Sequence, residues 1–224
     1  SPSYFRGLAG RCRWWCDRIG NVPVSKVLTS DLQDGISELS RQGRSKKTLL
    51  DYRNTAASIL DLALHDRAIT SNPSQWVTIP KSAPRSQRFA LTAEERSWID
   101  RTHHRAQTAA MVMMHAGLRR GELLALTWGD VDFSSRQITV NKSVTFDGNT
   151  PVPKSGGKTD AATRTIPLDP VLSDYLRPIA AAHSPMELVV PADNGRDMTE
   201  SGFSRMWERY LSVLNGPRGQ QLGE

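Results

Sequence analysis

The amino-acid sequence predicts an α-helical N-terminal domain followed by a mainly α, α+β domain with a small antiparallel sheet. Three observations lead there. Apolar residues recur at helical spacing through residues 1–70. Prolines and arginines then interrupt that pattern over 71–90. Beyond residue 90, helical runs alternate with β-rich ones such as Gln137-Ile138-Thr139-Val140.

Each element has its own signal. Phe5, Leu8, Cys12, Trp15 and Cys16 mark a first helix over 4–19. Thr29-Ser30-Asp31 can cap a second helix, which carries Leu32, Ile36 and Leu39 and stops near Gly43. A third runs from Ser45 to about Arg67, with Leu49, Tyr52, Ala56, Ile59, Leu60, Leu62 and Leu64 on its inner face. Ser71-Asn72-Pro73 is a turn, and Pro80 and Pro84 keep the following stretch extended. Thr92 and Glu95 form a capping box for a new helix. The Ala- and Met-rich run 106–116 suits a buried helix that ends at Gly117, and a short helix follows over 121–126. Asp130 to Phe133 lead into a β-rich stretch at 137–140 that continues over 143–146, Asp147-Gly148 is a turn, and 164–168 is another strand. Helices close the pattern at about 169–182 and 200–214. The expected organisation is a helical domain over 1–80, a linker over 81–90 and a second domain over 91–224.

A chain of 224 residues with 38% hydrophobic and 23% charged residues can bury an ordinary core. Two cysteines exclude a disulfide scaffold. No apolar run approaches the ~20 residues of a membrane span, and Ser1 to Arg6 lack the pattern of a secretion signal. The expectation is a soluble cytoplasmic protein with no membrane partner.

Charge is uneven. The net charge is +6, yet residues 1–90 hold 14 lysines and arginines against 7 acids, and residues 91–224 hold 15 against 16. The whole basic excess lies in the N-terminal segment. An acidic partner fits it, nucleic acid being the commonest; a solvated surface is the plain alternative.

Two stretches can carry chemistry. In Gly117-Leu118-Arg119-Arg120-Gly121-Glu122, Arg119 follows a break between two apolar helices. A guanidinium held there by packed neighbours would offer a fork for two phosphate oxygens, with Glu122 three residues on to orient it. A surface ion pair is the other reading. In Ser155-Gly156-Gly157-Lys158-Thr159, the glycines make a hairpin tip that carries Lys158, which could reach a phosphate or a leaving oxygen. The same segment is not a P-loop, because Val152 stands where that motif needs glycine. Cys12 and Cys16 read as core residues, and Trp14, Trp15, Trp76, Trp128 and Trp207 as core or domain-edge anchors. His103 and His104 fall on the helix that opens the second domain, and His115 shows no partner pattern.

The run Gly117-Leu118-Arg119-x-x-Glu122-Leu123-x-x-Leu126-x-Trp128-x-Asp130-Val131-Asp132 resembles the first arginine box of tyrosine recombinases of the phage integrase type. Lys158-Thr159 with Arg164-Thr165-Ile166-Pro167-Leu168 resembles the same family's β-hairpin lysine segment, and 198–207 resembles its next helix. Gly43 to Thr48, Asn72-Pro73 and Leu91 to Glu95 resemble its core-binding domain, a SAM-like helical bundle, and the junction after it.

The resemblance implies a two-domain clamp on double-stranded DNA. It implies strand cleavage and rejoining through a phosphotyrosine, with no metal or nucleotide cofactor. Arg119 matches the first catalytic arginine and Lys158 the general acid for the departing 5′-oxygen; Glu122 supports Arg119. Expected DNA contacts are Arg44, Lys46, Lys47 and Arg53 near the third helix, Arg85 and Arg88 in the linker, and Thr199, Ser201 and Arg205 at the last helix. A synaptic tetramer on DNA and a bacterial or phage source are also implied. One departure stands out. The His-x-x-Arg box and nucleophilic tyrosine that the family places after this last helix are absent from the 224 residues, so the chain as given is expected not to cleave DNA. A catalytically inactive DNA-binding relative is the alternative.

Overall fold

A computed structural model describes residues 2–85, 89–155 and 163–216. Contacts divide the chain into two compact units, 1–89 and 90–224.

The first unit is helical. α1 (Pro2–Ile19), α2 (Thr29–Arg41) and α3 (Lys46–His65) pack around Trp15, Leu32, Ile36, Ala56, Leu60 and Val77. Trp15 fits because Gly35 opposite it has no Cβ; one placed there would lie 2.8 Å from the indole ring. The indole N–H also donates to Tyr52 O at 2.9 Å. α2 starts where Asp31 accepts from Leu28 N–H, and ends at Gly43, whose φ of +74° suits glycine. α3 is capped by Ser45, which accepts from Thr48 N–H at 3.2 Å. Buried Asn72 donates to Ala57 O and Asp61, and accepts from Ser74 N–H, which fixes the turn into a 3-10 helix over Pro73–Trp76.

Several expectations change here. Ile59 and Leu62 lie on the outer side of α3, exposed by 41% and 63%, because the apolar stripe continues through Thr55, Ala56 and Leu60 instead. Trp76 is exposed and so lies outside the core, and Cys16 is exposed too, while Cys12 is half-buried.

The second unit is helical with two small sheets in place of the one expected. α4 (Ala93–Arg101), α5 (Gln107–Ala116), α6 (Arg120–Leu123), α7 (Pro170–Ala180) and α8 (Glu200–Leu214) surround strands β1 (Val131–Asp132), β2 (Gln137–Val140), β3 (Lys142–Asp147), β4 (Thr150–Ser155) and β5 (Arg164–Pro167). β1, β2 and β5 form an antiparallel sheet in that order, with Ile138 opposite Ile166. β3 and β4 form a separate hairpin, with Asp147 opposite Thr150. β4 pairs with β3 and β5 with β2, and residues 156–162, on which the expected hairpin tip falls, lie outside the described residues. Ile138, Leu123, Leu172, Leu176, Val112 and Tyr210 sit at the centre of one core.

Local chemistry sets these bounds. Thr92 accepts from Glu95 N–H while Glu95 accepts from Thr92 N–H, which is the capping box of α4. Gly117 ends α5 at φ +63°. α6 stops at Leu123, three residues short of expectation, and the chain continues through a 3-10 turn at Trp128–Asp130 into β1. His103 and His104 lie in the turn between α4 and α5, where His104 stacks on Tyr210. No helix among the described residues is long and apolar enough to cross a membrane.

Candidate functional site

The site is built on the turn between α5 and α6. Arg119 stands just before α6, and its backbone N–H donates to Glu122 Oε2 at 2.9 Å. Its guanidinium donates to Glu122 Oε1 at 3.0 Å. From the other side Arg164, the first residue of β5, grips both oxygens of Glu122 at 2.8 Å each. The carboxylate is 11% exposed, Arg164 35% and Arg119 80%. The guanidinium of Arg119 is thus not held by packed neighbours, as the sequence suggested. Among the described residues it is tethered by its ion pair with Glu122 and otherwise open. One carboxylate between two guanidinium groups leaves a net positive charge, and Arg119 keeps donors of its fork for an anion.

The Arg164 hydrogen bonds, against the opposing effect of burial and with help from Arg119, hold the Glu122 carboxyl at about 2, well below its ordinary 4.5. That stabilisation is present in full above pH 4.5 and is lost as pH falls toward 2. It is worth up to about 3 kcal/mol before solvent screening, since both arginines are partly exposed. Glu122→Gln is therefore expected to flatten the fall in unfolding free energy between pH 5 and 2. Urea titrations at each pH check this; parallel curves for parent and variant would refute it.

Neighbouring contacts fix the turn. At Gly121 an added Cβ would lie 2.4 Å from Val144 O, so glycine alone lets β3 pack against α6. Arg120 pairs with Glu200 at 3.2 Å and lies over the rings of Phe146 and Phe203. Asn149, in the β3–β4 turn, accepts from Ser201 N–H at 2.8 Å at the start of α8. His115 has a partner after all: its Nδ1 donates to Asp169 Oδ2 at 2.7 Å, and Asp169 also caps α7 through Leu172 N–H.

The other predicted residues fall as follows. Lys158 and Arg88 lie outside the described residues. Arg44, Lys47 and Arg85 are exposed, and Lys46 and Arg53 half-buried. Lys47 pairs with Asp51 at 2.8 Å, and Arg53 donates to Asn54. Thr199 caps α8 by accepting from Gly202 N–H, so its hydroxyl is engaged within the fold. Arg205 is exposed and lines a cavity of about 560 Å³ together with Arg105, Arg196 and Arg209. Arg105 in that cavity pairs with Asp193 and donates to Pro191 O.

Sequence reasoning missed Arg164, and missed Arg105, Arg196 and Arg209 as a group. Arg164 had one signal, its place at the start of the Thr-Ile-Pro strand. The others come from separate segments that only folding assembles. Among the described residues no group of three His, Cys, Asp or Glu could hold a metal ion.

Comparison with known proteins places this geometry. A tyrosine recombinase XerC-like protein of Caldanaerobacter subterraneus subsp. tengcongensis is 25% identical over 130 residues, 55% of this chain and 33% of that protein. A transposase from transposon Tn916 of Enterococcus faecalis is 22% identical over 161 residues, 68% of this chain and 39% of that protein. The chain thus spans 33% to 39% of the length of these relatives. The solved structure of the Tn1549 transposon integrase in complex with circular intermediate DNA is similar at TM-score 0.71 and 20% identity, covering 96% of this chain and 72% of that one. A lambda integrase tetramer bound to a Holliday junction is similar at TM-score 0.72 and 14% identity, covering 96% and 61%. At such identities the likeness establishes the fold. The family model described as "Phage integrase family" matches residues 85–216, which include Arg119, Glu122, Arg164 and all of α8. With more than half of its length matched, the chain belongs to the phage integrase family.

Proposed function

We propose that this chain is the DNA-holding and phosphate-activating part of a site-specific tyrosine recombinase that acts on mobile DNA in the cytoplasm. The observation that carries the reading is Arg119: an open guanidinium, tethered by Glu122, inside the segment that matches the family. Arg119 donates to a non-bridging oxygen of the scissile phosphate and offsets the charge that builds in the transition state. Glu122 holds Arg119 and does not touch the phosphate. Lys158, six residues before Arg164 in sequence, gives a proton to the departing 5′-oxygen. A tyrosine oxygen attacks phosphorus, the bond to the 5′-oxygen breaks, and a 3′-phosphotyrosyl bond forms; the freed 5′-hydroxyl of a partner strand reverses the step.

Tyr210 does not suit the nucleophile's part. It is fully buried, donates to Ile99 O, and burial, with Tyr175 and Asp100 nearby, pushes its phenol up to about 12. The activity is therefore proposed for a protein that carries this chain together with the family's His-x-x-Arg box and tyrosine.

In this reading double-stranded DNA is the partner, with self-association into a tetramer during strand exchange. Arg44, Lys46, Lys47 and Arg53 follow the backbone, Arg85 and Arg88 track the minor groove, and Thr199, Ser201 and Arg205 bring the start of α8 to the major groove. Titration of a labelled short duplex with the 224-residue chain tests it. Binding is expected at low salt, weakening linearly with log salt, and Lys46→Ala is expected to lower that slope by about 0.9. No binding at 50 mM salt would overturn the reading.

A further inference from the structure

We propose that Arg164 is the positioning residue of this site: its forked grip on Glu122 fixes the carboxylate that in turn aims Arg119 before any DNA arrives. The inference rests on the reading of Arg119 as the phosphate ligand and gives a role to Arg164, which the sequence reading quoted within a family-like segment without assigning it one.

Three facts carry it. First, the grip is bidentate and even, 2.8 Å from each guanidinium nitrogen to its own carboxylate oxygen. Two parallel hydrogen bonds fix the plane of a carboxylate, whereas one leaves it free to rotate. Second, among the described residues Glu122 is the side chain that tethers Arg119, an otherwise 80% exposed guanidinium. Arginine carries a large rotamer entropy, and a carboxylate that turns cannot hold it in one place. Third, Arg164 is itself anchored. It sits in β5, opposite Val140 of the central strand β2, and so is referred to the core of the unit. The order runs from core to strand to Arg164 to Glu122 to Arg119, with the side chains of the last three exposed by 35%, 11% and 80%.

The chemistry demands such a device. A phosphate ligand that must first be collected from several rotamers loses part of the advantage of orientation, and a misplacement near 1 Å can cost about 100-fold in rate. Lysine at 164 would keep the positive charge but not the fork. The substitution Arg164→Lys therefore separates charge from geometry.

Two measurements test the proposal. In the 224-residue chain, the order parameter of the Arg119 Nε–Hε group is read by NMR, alongside the titration of the Glu122 carboxyl carbon. The parent should show a restrained Arg119 and Glu122 titrating near 2. Arg164→Ala should release Arg119, with an order parameter below about 0.6, and move Glu122 upward. Arg164→Lys should keep Glu122 below its ordinary value yet still release Arg119. If Arg164→Ala fails to fold, the lysine variant decides alone. An Arg119 as ordered in the folded variants as in the parent overturns the proposal, because a residue that only supports the fold would lower the melting temperature and leave that group unchanged.

In a protein that also carries the tyrosine box, Arg164→Ala should slow single-turnover strand cleavage about 100-fold at unchanged DNA affinity, with partial rescue by lysine. An unchanged rate overturns the proposal as well. Failure of the underlying reading looks different: Arg119→Ala would then cleave as the parent does, whatever the order parameters show.

Discussion

Arg119→Ala, in a protein carrying this chain with the family's tyrosine box, is expected to reduce covalent attachment to DNA by about 10³-fold or more. Duplex affinity should change little. The argument is one of differential binding. In the ground state a phosphodiester carries one negative charge, shared with solvent and with every basic residue along the duplex. In the pentacoordinate transition state, charge builds on the non-bridging oxygens, where a fixed donor counts most. Arg119 is open by 80% and tied at one nitrogen, so it gives little packing energy to lose. Its removal should therefore cost rate and leave stability nearly intact. A gel that resolves protein–DNA adducts, with anisotropy on the same duplex, reads both sides. Attachment at parental levels would remove Arg119 from the chemistry.

The second large effect concerns stability. Gly121→Ala should lower the melting temperature by about 5–10 °C. In an ordinary helix the same change would be favourable, since alanine is the better helix former by about 1 kcal/mol. Here the added Cβ would meet Val144 O at 2.4 Å, a backbone atom that cannot swing aside. Either α6 tilts or β3 lifts, and overpacking of this kind costs about 1–3 kcal/mol. Gly10 supplies the control. It lies within α1 with nothing within 4 Å of an added Cβ, and Gly10→Ala should raise stability slightly. A thermal melt of the three chains settles the matter, and equal melting temperatures for the parent and Gly121→Ala would show that the hairpin yields without cost.

Helices with a clean cap and a clean stripe were legible in the sequence. Ser45 and Thr92 each announce a helix start, and Gly43 and Gly117 each announce an end, because a hydroxyl acceptor and a left-handed glycine solve local hydrogen-bonding problems. The outer face of α3 was not. Ile59 and Leu62 satisfy helical spacing as well as Leu60 does, and only the positions of α1 and α2 decide which side is covered.

The same division holds at the site. Glu122 could be linked to Arg119 because three residues is a helical contact distance. Arg164 stands 42 residues from Glu122 and the pairing is set by the register of β5 on β2. Spacing along a chain carries no information about that. His115 and Asp169, 54 residues apart, were hidden for the same reason.

The separation of β4 from β5 has a consequence for the sequence that lies between them. Were the two strands partners in one ladder, a residue gained or lost between them would turn every later side chain over to the wrong face. They belong instead to different ladders, each with its own register against a different neighbour. A residue gained or lost in sequence between Ser155 and Arg164 therefore leaves both pairings, β4 on β3 and β5 on β2, in register.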